Sequence, residues 1–241
     1  MTTIQPRGCE LILLSGQHFF AHPSGAVYWP QKQALIVADL HLEKASHYAE
    51  KGRFLPPYDS EETLDKLEMA ARLFEAKQIF TLGDSFHDNE ALQRMPATIK
   101  ARFSKLLASY RWNWITGNHD EEPEQRGWRQ HEVLRFGQVD LRHEGSTKLP
   151  AGVSEISGHF HPKAKVKIRG RVLSRACFVQ STNRLLMPAF GSFTGGLSVR
   201  DPAISMFFPN GATTWLLGKD ALHRYRLPPP KFLTSHASAA S

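Results

Sequence analysis

Short apolar runs, separated by glycine, proline and polar residues, fill the first forty positions of the chain. ELILLSG, HFFAH and AVYWP follow one another before the apolar run ALIVA at residues 34–38. Runs of this length between turn residues are typical of strands. The pattern therefore predicts antiparallel strands that lead into a buried strand at ALIVA.

Helical spacing of apolar residues takes over between residues 58 and 110. The segment YDSEETLDKLEMAARLFEAKQ begins with Asp59 and Glu62 at capping-box spacing. The apolar positions of this predicted helix are Leu64, Leu67, Ala71 and Phe74, and those of a second one, ATIKARFSKLLASY, are Ile99, Phe103, Leu106 and Leu107. QIFTL and WNWIT, which lie between and after the two helices, predict strands.

From about Val133 the chain turns to short strands with hairpin signals at FGQ, RGR and PNG. A βαβαβ half followed by a strand-rich half, with no linker between them, predicts one α/β domain of two mixed sheets with helices outside. We place this domain at residues 1–227. Residues 228–241 begin with three prolines and are predicted to form a disordered tail.

The composition narrows the class of protein. The 241 residues carry 30 Lys and Arg against 23 Asp and Glu, and this excess of positive charge favours an anionic partner. Cys9 and Cys177 lie far apart, which excludes a disulfide framework or zinc ribbon and fits a reducing cytoplasm. The sequence contains no apolar run near the length of about 20 residues that a membrane span needs, so neither a signal peptide nor an anchor is expected.

Five predicted strands end in side chains that can bind metal ions. In chain order these endings supply Asp39 and His41; Asp84, His87 and Asp88; Asn118, His119 and Asp120; His143; and His159 and His161. Ligands of α/β sheets gather beyond the carboxyl ends of the strands, so the five endings are expected to converge. Gly83, Gly117 and Gly158 begin three of them and would allow sharp turns.

The donor types predict the kind of site. Carboxylate, amide and imidazole groups without thiolates suit Mn, Fe or Zn. Each motif alone is weak, but the ordered set offers seven candidate ligands, more than one ion needs, and two ions sharing a carboxylate would use them all: Asp39, His41, Asp84, Asn118, His143, His159 and His161. Zinc-deaminase, zincin, P-loop and dinucleotide motifs are all incomplete in this sequence.

The order Asp-x-His, Gly-Asp, Gly-Asn-His-Asp, His and Gly-His-x-His over residues 39–161 resembles the calcineurin-like metallophosphoesterase superfamily. The resemblance implies a four-layer αββα sandwich with two mixed β-sheets and the metal site at the strand carboxyl ends. It also implies the ligand sets: Asp39, His41 and His161 for one ion, Asn118, His143 and His159 for the other, and Asp84 bridging. His119 would contact the phosphate and assist the leaving group.

A closer resemblance rests on ADLHLEKASHYAEKGRFLPPYD, LGDSFHD, ISGHFHPK and LMPAFGSFTGGL. These segments are similar to the bacterial ligase-associated DNA damage response endonuclease family. The similarity implies manganese-dependent cleavage of DNA in repair, alongside a DNA ligase, a helicase and a nuclease-like protein. Better-known phosphatases carry an acidic residue three positions after Asp84, where this chain has His87, and this leaves Asp88 or Asp120 as the carboxylate partner of His119.

We therefore expect a phosphodiesterase or endonuclease in which a metal-activated hydroxide attacks phosphorus and His119 protonates the departing oxygen. Two alternatives stay open. One is hydrolysis of a small nucleotide or cyclic nucleotide, and the other is a non-catalytic scaffold. The scaffold is disfavoured because every ligand position is filled.

Three other segments each have two interpretations. The segment FGSFTGG at residues 190–196 is either a glycine-rich wall of the cleft or a turn between strands. Glu43, Lys44 and Arg53 either meet a phosphate or belong to a solvated surface. A run of basic residues with period two predicts one basic hairpin face, which is either a nucleic-acid backbone track or a plain exposed face: Lys163, Lys165, Lys167, Arg169 and Arg171.

Overall fold

The computed structural model describes residues 5–120, 130–168 and 170–230. Its strands are β1 (Glu10–Leu14), β2 (Gln17–Ala21), β3 (Val27–Trp29), β4 (Ala34–Val37), β5 (Gln78–Leu82), β6 (Arg111–Ile115), β7 (Gln130–His131), β8 (Val133–Phe136), β9 (Val139–Arg142), β10 (Ser154–Ser157), β11 (Lys163–Ile168), β12 (Arg171–Gln180), β13 (Arg184–Leu186), β14 (Ala212–Leu217) and β15 (Leu222–Leu227). Its α-helices are α1 (Lys44–Glu50), α2 (Asp59–Leu73), α3 (Ala91–Arg94), α4 (Ala97–Ser109) and α5 (Pro202–Ser205), and a 3-10 turn covers Pro30–Lys32.

Two mixed sheets form the centre of the fold. The first has the order β1-β2-β3-β4-β5-β6-β7, antiparallel as far as β4 and parallel from β4 to β7. The second has the order β15-β14-β12-β13-β10-β9-β8, and β11 pairs with β12 beside this path. The antiparallel start and the βαβαβ unit predicted from the sequence are both present.

The apolar pattern of β4 follows from its burial on both faces, as expected for a central strand. Ala34 and Ile36 join the core between the two sheets, whereas Leu35 and Val37 pack with α2 and α4 on the outer face of the first sheet. The predicted core positions of α2 are all buried. A third cluster, which includes Ile204 of α5, covers the outer face of the second sheet. The order of layers is therefore helix, sheet, sheet, helix.

Two local expectations were wrong. Asp59 and Glu62 do not form a capping box, because Tyr58 is the N-cap and makes no side-chain cap bond. Asp59 is instead buried and its Oδ2 accepts from the Ala45 backbone N–H at 2.9 Å. The PNG segment, which was predicted to form a hairpin turn, leads from α5 into β14 instead. The β14–β15 hairpin turns at residues 218–221.

The basic hairpin β11–β12 also differs from its prediction. Lys165 is opposite Ser174, whereas Arg171 is opposite Ile168. Side chains of directly paired residues share a face, so Lys165 and Lys167 lie on one face of the hairpin and Arg171 lies on the other. The two-residue loop shifts the alternation between the strands. Arg169, which belongs to the same predicted run, lies outside the described residues.

The domain boundary at residue 227 stays a prediction. Pro228–Pro230 follow β15 without secondary structure, and residues 231–241 of the predicted tail lie outside the described residues. Among the helices of the described ranges, none has the length and apolar character needed to cross a membrane.

Candidate metal centre

The predicted strand endings meet at one edge of the two sheets. Asp39 follows β4 and Asp84 follows β5, and the backbone N–H of His41 donates to the Asp84 carbonyl at 2.9 Å. On the second sheet, the Gly158 N–H donates to the His143 carbonyl at 2.8 Å. The His159 N–H donates to Asp39 Oδ2 at 3.0 Å, so the two sheets are joined at this edge.

One ligand group combines Asp39, His41 and His161. Their donor atoms lie within 4.8 Å of one another. The Nε2 atoms of His41 and His161 are 3.2 Å apart, and His161 Nε2 is 3.4 Å from Asp39 Oδ1. These are the three residues that the sequence resemblance implies for one ion.

A second group combines Asp84, His143 and His159, again with donor atoms within 4.8 Å. His143 Nε2 lies 3.0 Å from His159 Nδ1 and 3.5 Å from Asp84 Oδ2. His143 Nδ1 donates to the Leu82 carbonyl at 2.9 Å, which leaves Nε2 as the nitrogen that can bind an ion. Asp84 Oδ2 is also 3.8 Å from His41 Nε2, and so Asp84 lies between the two groups.

The chemistry of these groups fits divalent cations. Burial, followed by the neighbouring His161 and Lys44, lowers the pKa of His41 to about 2, and burial lowers the pKa of His159. The two imidazoles of each group, His41 with His161 and His143 with His159, bring ring nitrogens within 3.2 Å of one another, so unprotonated nitrogens there would present lone pairs to the space between them. Neutral imidazole and carboxylate oxygen are donors that Mn, Fe and Zn accept. The residues therefore suit a divalent metal site.

The backbone at the site is left-handed at five ligand-bearing positions. The φ angles are 54° at Asp39, 44° at His41, 46° at Asp84, 74° at His159 and 46° at His161. Residues other than glycine adopt this region rarely, and such strain is concentrated at functional sites. Only tight surrounding contacts can hold five such residues in one place.

The three glycines of the motifs serve different purposes. Gly83 has a φ of 75°, as the predicted sharp turn requires. Gly117 and Gly158 are needed for close approach instead, because a Cβ at Gly117 would lie 2.3 Å from Asp84 Oδ1 and one at Gly158 would lie 2.6 Å from Asp39 Oδ2. The absent side chains leave room for the two carboxylates.

His119 lies beside the ligand groups in the loop after β6. A donor atom of His119 falls within 4.8 Å of those of His41 and Asp84, and its N–H donates to Asp84 Oδ1 at 2.9 Å. Its Nδ1 donates to the His87 carbonyl at 2.8 Å, so Nε2 is the nitrogen left for a substrate. Asn118, in the same loop, has an exposed side chain.

The hydrogen bond of His119 Nδ1 goes to this carbonyl, and the assignment of Asp88 or Asp120 as the carboxylate partner of His119 stays a prediction. Asp88 bonds instead to His47 Nδ1 at 2.6 Å and to Arg94. Asp120 is buried, and its Oδ2 accepts from the Gly117 N–H at 3.2 Å. The loop after β5 thus supplies a backbone oxygen to His119 Nδ1.

His87 and His47 lie near the centre and were not assigned a role from the sequence, whereas Lys44 was expected either to meet a phosphate or to belong to a solvated surface. The His87 ring stacks on that of His119, with centroids 5.4 Å apart and planes 19° apart. His47 lies beside His87 with centroids 4.6 Å apart. Burial, then His47 and Lys44, lowers the pKa of His87 to about 4. His47 follows Lys44 at helical i, i+3 spacing soon after the first motif, and this spacing is the sequence signal that could have identified His47.

The segment 190–196 forms a wall of the metal centre, which is one of the two interpretations that its sequence allowed. The Gly191 N–H donates to the Asp39 carbonyl at 3.1 Å. A Cβ at Gly191 would lie 2.1 Å from the Leu40 carbonyl oxygen, and one at Gly196 would lie 2.1 Å from that of His161. The loop is therefore packed against both chain segments that supply the first ligand group.

Comparison with known proteins gives structural neighbours. No protein-family model matches the sequence, and no curated protein does. The crystal structure of the nuclease MPE of Pseudomonas putida superposes with a TM-score of 0.68 and 27% sequence identity, covering 90% of this chain and 100% of that chain. Yfce, a phosphoesterase from E. coli, superposes with a TM-score of 0.42 and 13% sequence identity, covering 80% of this chain and 98% of that chain. A Streptococcus pneumoniae protein described as a predicted phosphoesterase superposes with a TM-score of 0.31 and 11% sequence identity, covering 80% of this chain and 96% of that chain. The last two superpositions are too weak to support an argument about this chain.

Proposed function

We propose that this metal-dependent phosphoesterase hydrolyses phosphodiester bonds of DNA. The resemblance to metallophosphoesterases and the αββα sandwich predicted from the sequence are confirmed by the similarity to the Pseudomonas putida nuclease. The observation that supports the proposal best is local: one group of candidate ligands includes His41 and the other includes His143, and Asp84 Oδ2 lies 3.8 Å and 3.5 Å from their Nε2 atoms. Such a pair of groups suits two ions that share one carboxylate.

The ligand assignment we propose is the one that the sequence resemblance implies. Asp39, His41 and His161 would hold one ion, and Asp84 would bridge. The other ion would be held by Asn118, His143 and His159. Bound there, divalent ions would neutralise the charge of a phosphodiester and supply a water of lowered pKa for in-line attack.

His119 is the group we assign to the leaving oxygen. Its Nδ1–H is fixed by the His87 carbonyl, so a second proton would sit on Nε2. The N–H bond to Asp84 Oδ1 holds the residue at the edge of the ligand groups. From this position Nε2 can donate a proton to an oxygen as the P–O bond breaks.

Nucleic acid is favoured as the substrate by charge and by similarity. The neighbour with the stronger superposition is called a nuclease. The hairpin β11–β12 begins two residues after His161 and carries exposed Lys165 and Lys167 on one face and exposed Arg171 and Arg175 on the other. Cations on both faces give a basic projection suited to a phosphate backbone. Manganese as the native ion, a place in DNA repair and the cytoplasmic location follow from the sequence resemblance and composition.

The test offers the manganese-loaded protein three substrates side by side: an aryl phosphodiester, the matching monoester and plasmid DNA. We expect hydrolysis of the diester and nicking of the plasmid, with the monoester slower. Asp84→Asn is the matched control, since it keeps the size of the side chain and removes the shared charge, and both activities should fall together.

Three results would contradict the proposal. They are a strong preference for the monoester, hydrolysis of small diesters without any cleavage of DNA, and plasmid nicking that Asp84→Asn leaves intact. The second result would favour the small-nucleotide alternative. The third would identify the nicking as contamination.

A further inference from the structure

Two exposed aromatic side chains lie together beside the metal centre. Tyr58, the N-cap of α2, is 47% exposed and Phe193, in the loop 190–196, is 41% exposed. Their ring centroids are 5.9 Å apart and the planes meet at 64°. We call Tyr58 and Phe193 the aromatic pair. Large apolar rings that stay this accessible on a protein surface often mark a binding site.

The position of Phe193 is fixed by the wall of the metal centre. The Ser192 N–H donates to Thr63 Oγ1 at 3.0 Å, which ties the loop to α2. The contacts of Gly191 with Asp39 and of Gly196 with His161 tie its two ends to the first ligand group. Phe193 itself has a left-handed φ of 56°, an unusual conformation for a bulky residue. The fold thus keeps the ring of Phe193 at the edge of the metal centre even though its backbone conformation is unfavourable for phenylalanine.

Two cations accompany the aromatic pair. Lys163 Nζ donates to the Thr194 carbonyl at 3.0 Å, one residue beyond Phe193. Burial lowers the pKa of Lys44, while the charge of Asp59 raises this pKa and the charge of Lys163 lowers it. Lys44 also follows His41 by only three residues. The rim beside Asp39 and His161 therefore combines positive charge with open aromatic surface.

Proteins that bind single-stranded nucleic acid commonly combine aromatic rings, on which bases stack, with cationic side chains that contact phosphates. Each base offers a flat face to a ring, and each phosphate offers charge to a lysine. A phosphate held between the ligand groups is joined through one sugar to a base that must lie close to the rim. A small phosphoester would leave both rings without a partner.

We propose that the aromatic pair stacks an unpaired base of the nucleic-acid strand whose phosphodiester lies at the metal centre, with Lys44 and Lys163 contacting phosphates of that strand. This inference rests on the proposed function and adds the site that recognises the base. Tyr58 and Phe193 are binding residues here and take no part in bond cleavage.

The test measures binding without metal, so that cleavage does not interfere. In EDTA and at fixed salt, fluorescence anisotropy gives the Kd of the full chain for a labelled oligothymidylate. The same measurement is made for a tetrahydrofuran oligomer of equal length and charge that has no bases. Wild type should bind the base-containing strand about fivefold or more tightly, which is the lower range for one stacked base.

The variants separate stacking from charge. Tyr58→Ala and Phe193→Ala should lose this preference, while Tyr58→Phe and Phe193→Tyr keep it because they keep a ring. Lys163→Gln should weaken binding of both oligomers by a similar factor. Met69→Ala and Leu73→Ala are the matched controls, since these side chains are 67% and 56% exposed on the same helix as Thr63 and should leave the preference unchanged. Circular dichroism checks that each variant is folded.

The outcomes distinguish the two proposals. Equal wild-type affinity for both oligomers, or full preference for bases in both alanine variants, overturns the aromatic pair even if the protein cleaves plasmid DNA. A wild-type protein that binds neither oligomer and cleaves no DNA overturns the proposed function and, with it, the stacking site.

Discussion

Replacing Gly117 with alanine should disable the metal centre without touching any ligand. A Cβ at this position would lie 2.1 Å from the Asp84 backbone N and 2.3 Å from Asp84 Oδ1. Both distances are far shorter than an ordinary van der Waals contact. The same Oδ1 accepts the backbone N–H of His119 at 2.9 Å, so the new methyl group would press on the Asp84 carboxylate, which we propose bridges two ions, and on the proposed acid together.

The size of the effect follows from the required displacement. Relief of the overlap needs a shift of about 1 Å, whereas metal–ligand distances tolerate only about 0.2 Å. A misplacement of about 1 Å near the chemistry costs on the order of 10²-fold in rate. Overpacking of this kind costs about 1–3 kcal/mol in the free energy of unfolding, which a domain of this size can absorb. Activity should therefore fall much more than stability.

The assay combines the manganese content of the purified protein, turnover of an aryl phosphodiester and the melting temperature. Gly195→Ala is the control, because nothing lies within 4 Å of a Cβ there and the residue does not have a left-handed φ. We expect at least about a 10²-fold loss of turnover and reduced metal content in Gly117→Ala, and wild-type values in the control. A folded Gly117→Ala protein with normal metal content and turnover would refute the reasoning.

Two other predictions concern His119 and Lys66. Replacement of His119 with asparagine should lower turnover by roughly 10²–10⁴-fold while the metal content stays near wild type, and undiminished hydrolysis would remove His119 from the mechanism. Lys66 lies 4.3 Å from the Phe190 ring, and burial, opposed by Glu62, lowers its pKa to about 8. Between about pH 8 and the unfolded pKa near 10.4 the unfolded chain binds a proton that the folded chain does not, so this group stabilises the fold increasingly as pH rises. In urea titrations across this pH range, the free energy of unfolding of wild type should rise by about 3 kcal/mol relative to that of Lys66→Met. A difference between the two proteins that does not change with pH would contradict the lowered pKa of Lys66.

The elements of the fold are encoded locally, and this is why the sequence predicted most of them. Leu64, Leu67 and Phe74 repeat at helical spacing because one face of α2 covers the first sheet. The unbroken run of β4 reflects burial on both faces. Asp59 shows the limit, since its capping spacing is right but the Ala45 N–H, fourteen residues away, takes its carboxylate. A local signal fails where a tertiary partner competes for the same group.

The ligand groups could be anticipated because each of them follows a strand that ends at the same edge. The hydrogen-bond partners of individual site residues could not be anticipated, because they depend on how separate loops approach one another. Nothing in the spacing of His87 says that its carbonyl will reach His119 Nδ1. The face of Arg171 likewise depends on the length of the β11–β12 turn, which fixes the pairing register.

The left-handed ligand positions explain why this centre needs both its residue types and its glycines. Strain of about 1–3 kcal/mol at each of five positions would approach the whole stability of a typical domain. Asp and His tolerate this conformation better than most residues, so the side chains that we propose as metal ligands also lower the strain. The His159 N–H bond to Asp39 and the His119 N–H bond to Asp84 then lock the carboxylates that the bare Gly158 and Gly117 admit. Ligand geometry and backbone geometry are therefore one requirement, and a substitution that keeps the donor but fills either glycine should fail.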